Sequence, residues 1–185
     1  MGLMDAPRGM RLHIGLFGRR NVGKSSLLNA ITRQEVSIVS DFAGTTTDPV
    51  EKPMELLPLG PVLFIDTAGI DDVGALGELR ARRTMQVFDR TDLGVLVTEA
   101  GAWGEYEDGI LDEFLARKTP VVVVFNKIDL DEHPAPVPRL QELKITPVLT
   151  AAHERRGILD FRQALLDAAP PDFIDNPTIL GDLVS

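Results

Sequence analysis

Short runs of consecutive apolar residues alternate along this chain with stretches in which apolar residues recur every three or four positions. The first kind predicts strands at 11–17, 51–57, 62–66, 93–98, 121–126 and 147–150. The second predicts helices near 24–32, 76–88, 107–117, 137–143 and 158–168. Apolar runs that do not alternate with polar residues suit strands covered on both faces. The pattern therefore predicts an α/β fold, a six-stranded and mostly parallel sheet with helices on both sides. Only Pro58-Leu59-Gly60-Pro61 separates the second and third strands. That is too short for a crossover helix, so these two strands form a hairpin and place one antiparallel strand at the sheet edge.

Pro170, Pro171 and Pro177 stop the last helical pattern, and residues 178–185 begin a segment that the chain does not complete. The expectation is one folded domain over 11–170, followed by a linker over 171–185 toward a downstream domain absent from this chain. Composition narrows the function classes. The net charge of −9 argues against broad nucleic-acid or membrane-surface binding. The absence of cysteine excludes a disulfide, a thiol nucleophile and a cysteine-held cluster within these 185 residues. His13, His133 and His153 show no metal-ligand spacing. No apolar run is long enough to span a membrane and no signal-peptide pattern opens the chain, so a cytoplasmic protein is expected.

The chemistry is concentrated where strands end. Residues 18–25, Gly-Arg-Arg-Asn-Val-Gly-Lys-Ser, match G-x-x-x-x-G-K-S/T between a strand and a helix. Such a loop wraps backbone N–H groups around phosphate oxygens, with the helix presenting its positive end. Arg19, Arg20, Asn21, Val22, Gly23, Lys24, Ser25 and Ser26 are the expected phosphate-binding segment. Lys24 would reach the β- and γ-phosphates, and Ser25 would ligate Mg²⁺. Asn126-Lys127-Ile128-Asp129 stands at the end of an apolar strand, 102 residues after Lys24. The Asp129 carboxylate can accept from both guanine N1–H and the 2-amino group, donors that adenine lacks, so GTP and GDP are the expected ligands. Asn126 would brace this loop and the Lys127 stem would cover the base. In Thr150-Ala151-Ala152 a backbone N–H would meet guanine O6. Asp66-Thr67-Ala68-Gly69 ends another apolar strand. There Asp66 would hold Mg²⁺ through water, and the Gly69 N–H would sense the γ-phosphate. In Gly44-Thr45-Thr46-Thr47-Asp48 one threonine, taken as Thr46, would ligate Mg²⁺ only while the γ-phosphate is present, which makes the pair of segments a switch.

In this order GRRNVGKS, GTTTD, DTAG, NKID and TAA resemble the translation-factor-like GTPases, in particular their TrmE–Era–EngA branch. The resemblance implies a Ras-like fold and a GTP-hydrolysing enzyme. Ile70 stands where Ras-type enzymes carry a water-positioning glutamine. In potassium-activated members of the branch an asparagine at the position of Asn21 helps hold K⁺, and carbonyls of the preceding loop, here those of Ser40 and Phe42, close over it. In the tRNA-modifying members a glutamate at the offset of Glu78, twelve residues after Asp66, positions the attacking water. Asp71, Asp72 and Glu78 read equally as a solvated acidic loop.

Thr47 and Pro49 depart from the commoner G-T-T-R-D run. Together with 54–62, DTAGIDD and 177–184 they are similar to the GTPase domain of the HydF family of FeFe-hydrogenase maturation proteins. That similarity implies a larger protein with a dimerisation domain and a cysteine-rich 4Fe–4S domain, neither within this chain. The maturases HydE and HydG and the hydrogenase would be partners of the full-length protein, and any homodimer would form chiefly through the absent domain. Nucleic acid and membrane are not expected partners. The alternative is a TrmE/Era-like GTPase of tRNA modification or ribosome assembly, against which the acidic charge and Thr47 weigh. A nucleotide-gated binding module without turnover is a third reading.

Overall fold

The computed structural model describes residues 11–32, 50–67 and 77–174. Its strands are β1 (Leu12–Phe17), β2 (Val50–Leu56), β3 (Gly60–Asp66), β4 (Leu93–Glu99), β5 (Val121–Asn126) and β6 (Val148–Leu149). The helices are α1 (Lys24–Thr32), α2 (Gly77–Arg90), α3 (Glu105–Arg117), α4 (Pro138–Glu142), α5 (Ile158–Ala168) and α6 (Pro171–Ile174). All six strands join one sheet in the order β2-β3-β1-β4-β5-β6. β2 lies at the edge, antiparallel to β3, and every other pair is parallel. This is the mostly parallel sheet with one antiparallel edge that the hydrophobic pattern predicted, and the Ras-like arrangement that the resemblance implied.

The period of two along each strand divides the core into two layers. Leu12, Ile14 and Leu16 of β1, Val62 and Phe64 of β3, and Val95 and Val97 of β4 face one side. There they pack against Leu27, Leu28 and Ile31 of α1 and Phe161 and Leu165 of α5. Phe17, Ile65, Leu96, Val123 and Phe125 face the other side, against Val87 and Phe88 of α2 and Ile110, Leu111 and Phe114 of α3. Phe17 stacks on Phe88 at 4.4 Å between ring centroids, and Phe114 meets both rings edge-on at 5.2 and 5.0 Å. A Cβ at Gly94 would lie 2.3 Å from the Phe114 ring, so a strand glycine is what lets α3 seat against β4.

Boundaries differ from the pattern for local reasons. α3 begins at Glu105 rather than at 107, because the Glu107 carboxylate accepts the Gly104 N–H at 2.9 Å and closes the first turn. α4 is only five residues long, with Pro138 at its start and Leu143 already outside it. Register Leu56↔Gly60 extends the β2–β3 pairing and shortens the connecting turn. Past residue 170, Phe173 of α6 packs against the core.

Candidate functional site

β1, β3, β4 and β5 run parallel, so their carboxyl ends converge on one edge of the sheet, where α/β folds bind ligands. The loop leaving β1 is shaped by steric limits on two glycines. A Cβ at Gly18 would sit 2.4 Å from the Val97 carbonyl oxygen. Gly23 has φ +104°, and a Cβ there would sit 2.1 Å from Asn126 Nδ2. Asn21 between them is left-handed at φ 64°. Buried Val22 plugs the loop into the core, and its N–H donates to the Arg19 carbonyl at 3.4 Å. The buried Lys24 ammonium turns inward, donating to the Gly18 carbonyl and to that of Arg19 at 3.4 Å. Ser25 and Ser26 are exposed in the first turn of α1, whose N-terminus faces the loop.

Beside the loop, Ser25 Oγ donates to Asp66 Oδ2 at 3.4 Å, and Asp66 is buried at the end of β3. A hydroxyl next to a buried carboxylate is the hard oxygen donor set that suits Mg²⁺. The Thr67 N–H and Oγ1 both donate to the Leu16 carbonyl, at 3.3 and 2.9 Å, which fixes the exit of β3 against β1. Glu78 falls in the first turn of α2. Ser40, Phe42, Thr46 and Gly69 lie outside the described residues.

The residues expected to meet the base form a braced unit around Asn126. Its buried Nδ2 donates to the Val22 carbonyl at 2.9 Å. Its Oδ1 accepts from Thr150 Oγ1 at 2.8 Å and from the Ala152 N–H at 3.0 Å. One amide side chain thus joins the phosphate loop to the loop after β6. Lys127, left-handed at φ 63°, donates through Nζ to the Asn21 carbonyl at 2.6 Å and to Glu99 Oε2 at 3.0 Å. Asp129 Oδ1 is buried without a hydrogen-bond partner among the described residues, while Oδ2 stands 3.5 Å from His153 Nε2. An orphaned carboxylate oxygen is what a base carrying two adjacent N–H donors would satisfy.

Two groups of expected site residues also make contacts within the fold. Thr150 N–H donates to Phe125 O at 2.9 Å, Ala151 N–H to Arg156 O at 3.1 Å, and Ala152 N–H to Asn126 Oδ1 at 3.0 Å. These amides hold the loop together within the fold. The Arg19 guanidinium is also committed elsewhere. Its Nε and Nη2 donate to the two Glu107 oxygens at 2.9 and 3.2 Å, and it lies over the Tyr106 ring at 5.3 Å. Hydrogen bonding to Glu107 raises its pKa above the ordinary arginine value, against a smaller opposing effect of burial. A fully buried carboxylate needs a cation, and among the described residues Arg19 reaches it.

Sequence reasoning missed Glu99, Glu107 and His153. Glu107 carried a weak signal as an acidic residue in a first helical turn, and the other two carried none. Arg156, also missed, forms a bidentate pair with Glu132 at 3.0 and 2.9 Å. The hydrogen bond from Arg156 holds the Glu132 carboxyl below its usual range. The pair ties the loop after β6 to the segment after β5. Among the described residues, no helix is long and apolar enough to cross a membrane.

A family described as 50S ribosome-binding GTPase matches residues 13–127. The tRNA modification GTPase MnmE of Synechococcus elongatus is 40% identical over 178 residues, covering 90% of this chain and 37% of that protein. GTPase Der of Wolinella succinogenes is 40% identical over 133 residues, covering 68% of this chain and 27% of that protein. The chain thus spans roughly a third of the length of these relatives. Among solved structures, Era of Aquifex aeolicus bound to GDP and AlF₄⁻ superposes with a TM-score of 0.66 at 28% identity. That match covers 85% of this chain and 56% of the Era chain.

Proposed function

The chain belongs to the family of 50S ribosome-binding GTPases, in its TrmE–Era–Der type, and from that premise we propose that it is the Mg²⁺-dependent, K⁺-stimulated switch domain of a larger protein. One observation carries the guanine-specific part. Asn126 locks the phosphate loop to the base-recognition loop, and beside it Asp129 keeps a buried acceptor oxygen without a partner.

GTP would donate its N1–H and 2-amino group to Asp129, whereas ATP would leave that carboxylate unanswered. The Lys24 ammonium would exchange the Gly18 and Arg19 carbonyls for the β- and γ-phosphate oxygens. Ser25, Asp66 and Thr46 would hold Mg²⁺, which supplies charge neutralisation on those oxygens when bound. The Gly69 N–H would meet the γ-phosphate. Water would then displace GDP from the γ-phosphorus, releasing GDP and inorganic phosphate. The Asn21 backbone is already fixed at the rim of the loop by Lys127. Asn21, with the carbonyls of Ser40 and Phe42, would hold K⁺ between the phosphates, where added positive charge stabilises the transition state. GTP turnover is expected to be at least several-fold faster in KCl than in NaCl, and equal rates remove the K⁺ site. In the same assay Glu78→Ala tests water positioning, since an undiminished rate in K⁺ excludes it.

Two readings of what the switch governs are supported by different observations. The MnmE relatives, 35 to 40% identical across most of the chain, support a role in tRNA modification. Thr47, Pro49 and the segments 54–62 and 177–184, with the net charge of −9, support the HydF-type role in hydrogenase maturation. Under that second reading HydE, HydG and the hydrogenase would be partners of the full-length protein, and residues 171–185 would be the link to its next domain. Complementation separates them. Under the first reading the full-length gene restores tRNA modification in cells lacking MnmE. Under the second it restores hydrogenase activity in cells lacking HydF and leaves the tRNA defect in place.

A further inference from the structure

We propose that Glu107 of α3 is a positioning residue for the phosphate loop, acting through Arg19. This rests on the GTPase reading above and assigns a role to a buried charge that the reading does not use. Glu107 is fully buried, and both carboxylate oxygens are engaged. Oε1 accepts from the Gly104 N–H at 2.9 Å and from Arg19 Nη2 at 3.2 Å, while Oε2 accepts from Arg19 Nε at 2.9 Å. The carboxylate therefore belongs to the frame of α3, because it closes that helix's first turn. It cannot follow a movement of the loop without uncapping the helix.

Arg19 transmits that frame to the chemistry. Its carbonyl receives the Val22 N–H and the Lys24 ammonium, and the carbonyl one residue earlier, of Gly18, receives Lys24 as well. The loop between them contains a left-handed asparagine and a glycine at φ +104°, a backbone conformation that contacts from neighbouring elements help to hold. Beside the Asn126 amide on the Val22 carbonyl, it is tied from outside at two further points. Lys127 holds the Asn21 carbonyl on the side of the base, and Glu107 holds Arg19 on the side of α3. Packing of Arg19 over Tyr106, one residue before Glu107, adds to the second tie. A shift of the first turn of α3 would thus reach Lys24 without any contact with the nucleotide.

The test separates this role from simple helix capping. Glu107→Gln keeps an acceptor for the Gly104 N–H and removes the charge that orients Arg19. Arg19→Met removes the other partner, which is half exposed. Fluorescent GDP dissociation, kcat and KM for GTP, and Tm are measured for the wild type, both variants and the double variant. The expected result is GDP release roughly tenfold faster and a lower kcat in each single variant, the scale of a lost charged hydrogen bond. The double variant should be no worse than either, because the two residues act as one strut. GDP release and kcat within twofold of wild type overturn the proposal, whatever happens to Tm. Should Glu107→Gln fail to fold, Arg19→Met decides alone. Wild-type protein that neither binds nor turns over GTP overturns the GTPase reading itself, whereas normal wild-type turnover with unaltered variants overturns only the strut.

Discussion

Asn126→Ala is expected to lower the melting temperature by roughly 10 °C and to weaken GTP binding by at least about a hundredfold. The side chain is buried and serves groups on three segments: the Val22 carbonyl, the Thr150 hydroxyl and the Ala152 N–H. Truncation leaves each of these interior groups without its partner, at about 1–3 kcal/mol apiece. The sum is a large part of the roughly 5–15 kcal/mol by which an ordinary domain is stable. For a domain of this size each kcal/mol shifts Tm by roughly 2–4 °C. Binding suffers separately, because the phosphate loop and the base loop lose the amide that sets their spacing. Asn126→Asp sharpens the test: it keeps the acceptor for Thr150 and Ala152 but has no donor for Val22. Calorimetric unfolding and titration with GTP decide the matter. An alanine variant with unchanged Tm would mean that Asn126 is not the brace its hydrogen bonds describe.

Asp129→Asn should have the opposite profile, with little change in stability and a large change in ligand. Asp129 Oδ1 has no partner among the described residues, so its replacement by an amide group breaks no hydrogen bond seen within the fold. For the nucleotide the change is severe. An asparagine can offer one acceptor and one donor where guanine presents two donors, so one guanine N–H faces another N–H. A site built to hydrogen-bond its ligand loses on the order of 10³-fold or more when that match fails. Xanthine carries a carbonyl in place of the 2-amino group and fits the new donor, so affinity for XTP should rise as affinity for GTP falls. Competition binding of GTP and XTP reads both at once. Equal GTP affinity in the variant would place base recognition elsewhere.

The fold and the site were legible in the sequence to different depths. Continuous apolar runs at 12–17, 62–66, 93–97 and 121–125 marked strands buried on both faces. The short connection before β3 marked the antiparallel edge. These are local signals, and they survived folding because every one of them places apolar area where both core layers need it. Glycine spacing in 18–23 was legible for the same reason: the loop's backbone conformation is dictated over a few residues. Less legible were elements whose limits depend on contacts far along the chain. α3 starts early because the Glu107 carboxylate caps the Gly104 N–H, and that carboxylate is buried against an arginine 88 residues away. α4 is a single short turn that periodicity alone overextended.

What the sequence by itself determined was the kind of chemistry. Gly18, Gly23, Lys24, Ser25, Asp66, Asn126 and Asp129 stand at strand ends in the order of a GTP-binding domain, because each motif is a local solution to a local binding problem. What only the tertiary structure decided was how these solutions are held in register. Arg19 stands in the expected phosphate segment, and its guanidinium pairs with Glu107 because a buried carboxylate cannot be left without a cation. The amides of 150–152 are answered by Phe125, Arg156 and Asn126 because buried N–H groups must find partners. Lys127, expected over the base, also reaches back to Asn21 and Glu99. Such pairings join residues 24 to 106 positions apart. They follow from the burial that the packed sheet imposes, a quantity that exists only once the chain has folded.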